Sequence, residues 1–288
     1  MLNRIELLDL VHRALREDIG TGDITTEATI PAGATARGVI LARATGVVAG
    51  LEVVRLVFSE LDRGLTVISK KQDGEAVSPG DIIAEISGPA RPLLMGERVA
   101  LNFLQRLSGI ATATHKLVEL VRGYPIKVVD TRKTTPGLRA LEKYAVRTGG
   151  GHNHRFGLYD AVLIKDNHIA VAGGIGPAVT AARRRAPHTV TIEVEVENLE
   201  QLEEALTAGA DLIMLDNMDP ATMREAVRRA RLRTMTGRPV RLEASGGVRA
   251  ENIVAIAETG VDLISVGYLT HSAPSLDFSL ELDLGRNK

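Results

Sequence analysis

The sequence predicts an α/β protein in which an N-terminal α+β domain is followed by an incomplete parallel α/β barrel. Three observations carry that expectation. Short β-type runs separated by turn-formers fill roughly residues 36–94, and strand-like and helical runs alternate after Tyr124. Polar or glycine residues then stand at the ends of the apolar runs. A chain of 288 residues holds one large domain or two ordinary ones, and 44% hydrophobic content supplies a core.

Taken in order, Leu2 to Arg16 reads as a helix with Ile5, Leu8, Val11 and Leu15 on one face, followed by Gly20 and Gly22. Gly38-Val-Ile-Leu-Ala, Leu65-Thr-Val-Ile-Ser and Asp81-Ile-Ile-Ala-Glu-Ile read as strands. Asp73-Gly74 and Ser78-Pro79-Gly80-Asp81 are the turns between some of them. This hairpin texture resembles lipoyl or biotinyl carrier domains, but no central Lys stands in a Met-Lys or Asp-Lys setting. Gly96 to Val121 reads as one long helix, or two.

Strand-like runs follow at Lys127–Val129, Ala161–Ile164, Val190–Val196, Leu212–Leu215, Arg241–Ala244 and Leu263–Val266. Helical patterns lie between them, clearest at Leu199–Ala208 and Ala221–Arg231. Six such units fall short of the eight units and ~250 residues of a complete barrel, so the barrel is expected to be shortened. An open doubly wound sheet is the alternative. The expected division is residues 1–112 for the first domain and 113–272 for the barrel. A tail, 273–288, is expected to pack on the first domain.

Composition excludes several function classes. Basic and acidic residues number 35 and 36, which argues against a general nucleic-acid or membrane binder. Aromatics make up 3% and Trp is absent, so a base-stacking surface is not expected. Without Cys there is no disulfide, thiol nucleophile or cysteine-held metal. The first residues carry charges throughout and no run reaches the length of a membrane span, so a soluble cytoplasmic protein is expected.

Thr131 to His168 is cationic against this balanced background, with Arg132, Lys133, Arg139, Lys143, Arg147, His152, His154, Arg155, Lys165 and His168 facing three acids. Interrupted by Thr-Thr-Pro-Gly and Gly-Gly-Gly turns, it suits a small and highly anionic ligand. In Thr131-Arg-Lys-Thr-Thr a guanidinium can fork onto a carboxylate or phosphate, while the ammonium and hydroxyls add further contacts. An isolated copy would read as a solvated turn. Gly149-Gly-Gly-His-Asn-His-Arg follows it, and His-X-His without acid or Cys partners favours anion recognition over zinc.

Strand alternation places Glu193, Glu195 and Glu197 on one face of Ile192-Glu-Val-Glu-Val-Glu. Pointing into a barrel they suit ribose hydroxyls or hydrated Mg²⁺; on an edge strand they would merely face solvent. Asp216 ends the apolar run Leu212-Ile-Met-Leu, where an acid has few structural uses. Ser245-Gly-Gly-Val and Ser265-Val-Gly-Tyr-Leu-Thr-His-Ser belong to the last two units, which in α/β barrels often bind phosphate through backbone N–H groups.

Together these residues resemble the quinolinate phosphoribosyltransferase family. The likeness also runs through Glu17-Asp-Ile-Gly-Thr-Gly-Asp-Ile-Thr, Gly96-Glu-Arg-Val-Ala-Leu-Asn-Phe-Leu and Met214-Leu-Asp-Asn, with residues 130–168 the most specific block. The resemblance implies an N-terminal α/β sandwich ahead of the incomplete barrel. It also implies conversion of quinolinate and phosphoribosyl pyrophosphate to nicotinate mononucleotide, CO₂ and pyrophosphate with Mg²⁺, a step of NAD biosynthesis. By the same resemblance, Arg132, His154, Arg155 and Lys165 hold the two quinolinate carboxylates. Arg98 would come from a neighbouring subunit, making a homodimer with shared sites the working unit and leaving a hexamer open. Lys133, Glu195 and Asp216 would contact phosphoribosyl pyrophosphate and its Mg²⁺, the two acids directly or through water. Thr131 and Ser265 belong to the same substrate-binding set, and Ser245, Gly246, Gly247, Gly267 and His271 to the 5′-phosphate side. Ala244 and Tyr268 depart from the family's usual Ser and small residue. A paralogue of the same fold with another acceptor, of the type associated with molybdenum transport loci, is the alternative.

Overall fold

A computed structural model describes residues 3–236 and 239–282, without the side chains of 234–236. Two expected spans therefore reach beyond the described residues, at Leu2 and at the tail after residue 282. The elements in chain order are α1 (Arg4–Ile19), α2 (Ile24–Thr29), β1 (Thr35–Ala42), β2 (Gly46–Val47), α3 (Leu51–Leu61), β3 (Thr66–Ser69), β4 (Ala76–Val77), β5 (Ile82–Pro89) and α4 (Ala90–Leu120). There follow β6 (Lys127–Val129), α5 (Arg139–Thr148), β7 (Val162–Ile164), α6 (Asp166–Ala172), α7 (Ile175–Arg185), β8 (Ile192–Val196), α8 (Leu199–Ala208) and β9 (Leu212–Asp216). The last are α9 (Pro220–Thr236), β10 (Arg241–Ser245), α10 (Ile253–Ala257), β11 (Leu263–Ser265), α11 (Tyr268–His271) and β12 (Phe278–Leu282).

The chain forms two compact units, one of residues 1–115, 135–150 and 272–288, the other of 116–134 and 151–271. In the first, β12, β1, β5 and β3 form an antiparallel sheet in that order. Alternation along β1 buries Ile40 and Ala42, while Ile83 and Ile86 of β5 are buried from the paired strand. α4 is one helix and begins earlier than its apolar texture suggests. Its buried stripe, Leu93, Gly96, Ala100, Leu104, Leu107 and Ala111, keeps three-to-four spacing. α1 buries Leu7, Val11 and Leu15, each four residues apart, and this leaves Ile5 on the opposite side, 72% exposed. No capping residue next to α3 marks its start in the sequence, because a remote side chain caps it. The Asp73 carboxylate accepts from the N–H groups of Gly50 (2.8 Å) and Leu51 (3.1 Å), capping the helix in place of a local residue.

Inside the same unit α5 carries two fully buried charged residues, Glu142 and Lys143. Glu142 accepts from Arg106 Nη2 (2.8 Å) and Nε (3.2 Å) and from Thr135 N (3.0 Å) and Oγ1 (2.8 Å). Such a set of charge-assisted bonds is what allows an acid to be buried.

The second unit holds a six-stranded parallel sheet ordered β6-β11-β10-β9-β8-β7. Apart from β6, each strand lies beside its neighbour in sequence, with helices between, as in an α/β barrel. β6 and β7 are not paired among the described residues, so the barrel stays open there. No reversal of strand order occurs, which removes the doubly wound alternative.

Candidate active site

Parallel register brings the strand ends to one level. Ile164 of β7 pairs with Val194 of β8, so Lys165 follows level with Glu195. Asp216 pairs with Ser245, and Ser265 with Val129. These ends line a cavity of about 510 Å³. Thr131, Arg132 and Lys133 enter after β6, Lys165 after β7, Glu195 from β8, and Asp216 from β9. Ser245, Gly246 and Gly247 enter from the end of β10, and Ser265 from β11. A carboxyl-end position is where ligands of such sheets sit.

The glycine-rich loop reaches the cavity by pairing beside β6. His152 N–H donates to Val128 O (2.8 Å), Asp130 N–H donates to His152 O (3.1 Å), and the buried Asp130 carboxylate accepts from His154 N–H (2.9 Å). This delivers His154 and Arg155 to the cavity wall. His154 Nδ1 accepts from Arg155 N–H (2.8 Å), while Nε2 lies 3.0 Å from Glu193 Oε2 and 3.6 Å from Glu243 Oε2. Glu193 is 2% exposed and Glu243 fully buried. Their ligand-type atoms and His154's lie within 4.8 Å of one another. Burial first, then repulsion from Glu193, pushes the Glu243 carboxyl up to about 7, against a smaller opposing pull from His154. Burial and the nearby Arg132 hold the Arg155 guanidinium below its ordinary value, with Glu193 and Asp160 working the other way. Two guanidiniums converge here, as recognition of a small dianion needs.

Lys165 Nζ hydrogen-bonds Glu195, which prevents the acid from standing alone in the cavity. Asp216 accepts from Asn217 Nδ2 (2.8 Å). Lys133 is steadied through its carbonyl by Thr270 Oγ1 (2.7 Å). Gly267 adjoins it: a Cβ there would fall 3.1 Å from Lys133 Cδ and 3.4 Å from the His271 ring. The oxygen donors of Glu195 and Asp216 are the type Mg²⁺ prefers.

Three expected residues do not line this cavity. Gly267 lies against Lys133 and His271 outside the cavity lining, and Arg98 lies exposed on α4 of the other unit. Much of the cationic stretch also lies elsewhere. Arg139, Lys143 and Arg147 belong to α5 of the first unit, and His168 lines a separate apolar depression. Charge counting along the chain could not separate these, because a helix carries them away from the strand ends. The three-acid reading of β8 also divides. β8 is an interior strand, Glu193 is buried, Glu195 lines the cavity, and Glu197 lies exposed beyond the strand. Sequence reasoning missed Glu243, for which a lone acid inside the apolar strand β10 was the available signal, and gave no role of its own to Asn217, which stands in the Met214-Leu-Asp-Asn block.

Residues 110–281 match the family described as quinolinate phosphoribosyl transferase, C-terminal domain, and residues 23–108 its N-terminal domain. A Bacillus subtilis protein named probable nicotinate-nucleotide pyrophosphorylase (carboxylating) is 49% identical over 98% of this chain and 96% of its own length. The Nicotiana glauca quinolinate phosphoribosyltransferase (decarboxylating) 2, mitochondrial, is 39% identical over 96% of this chain and 82% of its own. The structure of the Francisella tularensis nicotinate-nucleotide pyrophosphorylase superposes with a TM-score of 0.92 at 42% identity, covering 98% of each chain. With both domains matched and such identity sustained from end to end, the chain belongs to the quinolinate phosphoribosyl transferase family.

Proposed function

We propose that the chain transfers the phosphoribosyl group of phosphoribosyl pyrophosphate to quinolinate with decarboxylation, giving nicotinate mononucleotide, CO₂ and pyrophosphate in NAD biosynthesis. The observation that supports this best is one cavity lined by Arg132, Arg155 and Lys165 together with Glu195 and Asp216. A dianionic pyridine and a sugar pyrophosphate need that combination of charges. Arg132 and Arg155 take the two ring carboxylates, with the guanidinium fork supplying geometry as well as charge. Lys165 adds a third cation, tempered by Glu195. His154 serves the carboxylate pocket through its bond to the Arg155 backbone and its approach to Glu193.

The sugar pyrophosphate lies toward Lys133, Glu195, Asp216 and the Ser245–Gly247 turn. Thr131 and Ser265 extend the substrate-binding wall, and Gly267 and His271 support the 5′-phosphate side. Mg²⁺, when bound, would be held by Glu195 and Asp216 and would neutralise pyrophosphate charge. As the pyridine nitrogen attacks the anomeric carbon, positive charge develops on the ribose, and the same two acids stabilise it. The bond between the carboxylate and the ring carbon next to the nitrogen then breaks, releasing CO₂ and leaving its electron pair on that carbon, where the pyridinium charge stabilises it until a proton from solvent restores the C–H. Positioning and electrostatics suffice, so the chain needs no nucleophile. Arg98, supplied by a second copy of the chain, would complete the site in a homodimer.

Incubation with quinolinate, phosphoribosyl pyrophosphate and Mg²⁺ should release CO₂ and nicotinate mononucleotide. Folded protein that turns over a monocarboxylate acceptor equally well would refute the dicarboxylate assignment, because unpaired buried cations penalise the poorer ligand.

A further inference from the structure

Asn217 follows Asp216 at the end of β9 and is the one non-glycine residue with positive φ, 53°, among the described residues. The left-handed region carries a steric cost that Asn tolerates better than most residues. Such backbone persists where its surroundings over-determine it, commonly at functional sites. Here three contacts do so. Asn217 N–H donates to Ser245 O (2.9 Å), and Asn217 Nδ2 donates to Asp216 Oδ2 (2.8 Å). Asn217 Oδ1 fills the space that a side chain at Gly246 would need, since a Cβ there would fall 2.1 Å from it and 3.0 Å from Asn217 N. Gly246 itself has φ 96°. The turns after β9 and β10 therefore interlock through one amide, and Asp216, Asn217, Ser245 and Gly246 all line the cavity.

We propose that Asn217 is a positioning residue, whose amide aims the Asp216 carboxylate and fixes its spacing from the Ser245–Gly247 turn. One side chain then sets the distance between the sugar-binding and phosphate-binding ends of the phosphoribosyl site. The proposal rests on the assignment of Asp216 and this turn to phosphoribosyl pyrophosphate made above. A hydrogen bond to a carboxylate is stronger than one to a neutral acceptor, so its loss leaves Asp216 free to rotate.

The test compares wild type, Asn217→Gly, Asn217→Asp and Asp216→Asn by steady-state kinetics in each substrate and by thermal melting. Glycine accepts the positive φ but lacks the amide, so Asn217→Gly should melt no lower than wild type. Its KM for phosphoribosyl pyrophosphate should nevertheless rise about tenfold or more, the loss expected of one bond to a charged group. KM for quinolinate should stay within about twofold of wild type, by the same reckoning. Asn217→Asp should shift KM further in the same direction, because it sets a second negative charge beside Asp216. A wild-type KM in Asn217→Gly, with Asp216→Asn impaired, would overturn the positioning role. An unimpaired Asp216→Asn would overturn it by removing the ligand assignment beneath it. A lowered melting temperature in Asn217→Gly with equal changes in both KM values would mark a merely structural residue and would also overturn it.

Discussion

Replacing Glu243 by Gln should make the protein gain resistance to unfolding relative to wild type as pH rises from 5 to 8. Glu243 is fully buried on β10, with Glu193 close enough to raise its carboxyl pKa and His154 Nε2 at 3.6 Å. Its carboxyl moves from 4.5 up to about 7. A group with a raised native pKa holds its proton more tightly when folded. Its contribution is complete below the unfolded value and is lost as pH climbs through the native one. The interval from 4.5 to about 7 corresponds to about 3 kcal/mol, at ~1.4 kcal/mol per pH unit. Gln keeps the shape and stays neutral throughout, so any constant offset between the variants cancels when two pH values are compared. Urea unfolding of both proteins at pH 5 and pH 8 should show the variant gaining about 2 to 3 kcal/mol on wild type over that interval. A difference in stability that stays the same at both pH values would show that Glu243 is already ionised at pH 5, and the reading of the buried cluster would fail.

Arg155→Lys should raise KM for quinolinate by about ten- to a hundredfold, since a point charge replaces a two-pronged donor; a change below threefold would place the ring carboxylates elsewhere. Arg98→Ala and Arg155→Ala should each be inactive alone. Mixed after subunit exchange, they should recover about a quarter of wild-type activity, because half the dimers then carry one intact site; no recovery in verified hybrids would end the shared-site idea. Glu142→Ala should lower stability by about 3–5 kcal/mol, measured by urea unfolding, because the Arg106 guanidinium and the Thr135 donors lose a buried acceptor.

Much of the second unit was legible in the chain because parallel strands buried on both faces write themselves as apolar runs. α8 runs over Leu199–Ala208, as its periodicity predicts, and the six strands lie within a residue or two of their predicted bounds. Strand-end residues such as Arg132, Lys165, Glu195 and Asp216 were legible for the same reason, since a polar group next to a buried run has a definite place. Legibility failed where a remote partner decides. α3 begins on Asp73, twenty-odd positions later in the chain, and the groups that make Glu243 part of a buried cluster, His154 and Glu193, lie on other segments.

The sequence by itself determined which residues occupy strand ends and which strand faces are apolar, because both follow from local spacing and the twofold alternation of a strand. It also carried the family likeness of residues 130–168. Only the tertiary structure decided that β6 pairs with β11, that His154 meets Glu193 and Glu243, and that Asn217 locks against Gly246. Those contacts join residues from different strands and loops, and their energies depend on burial and on angstrom-scale spacing that no local pattern encodes.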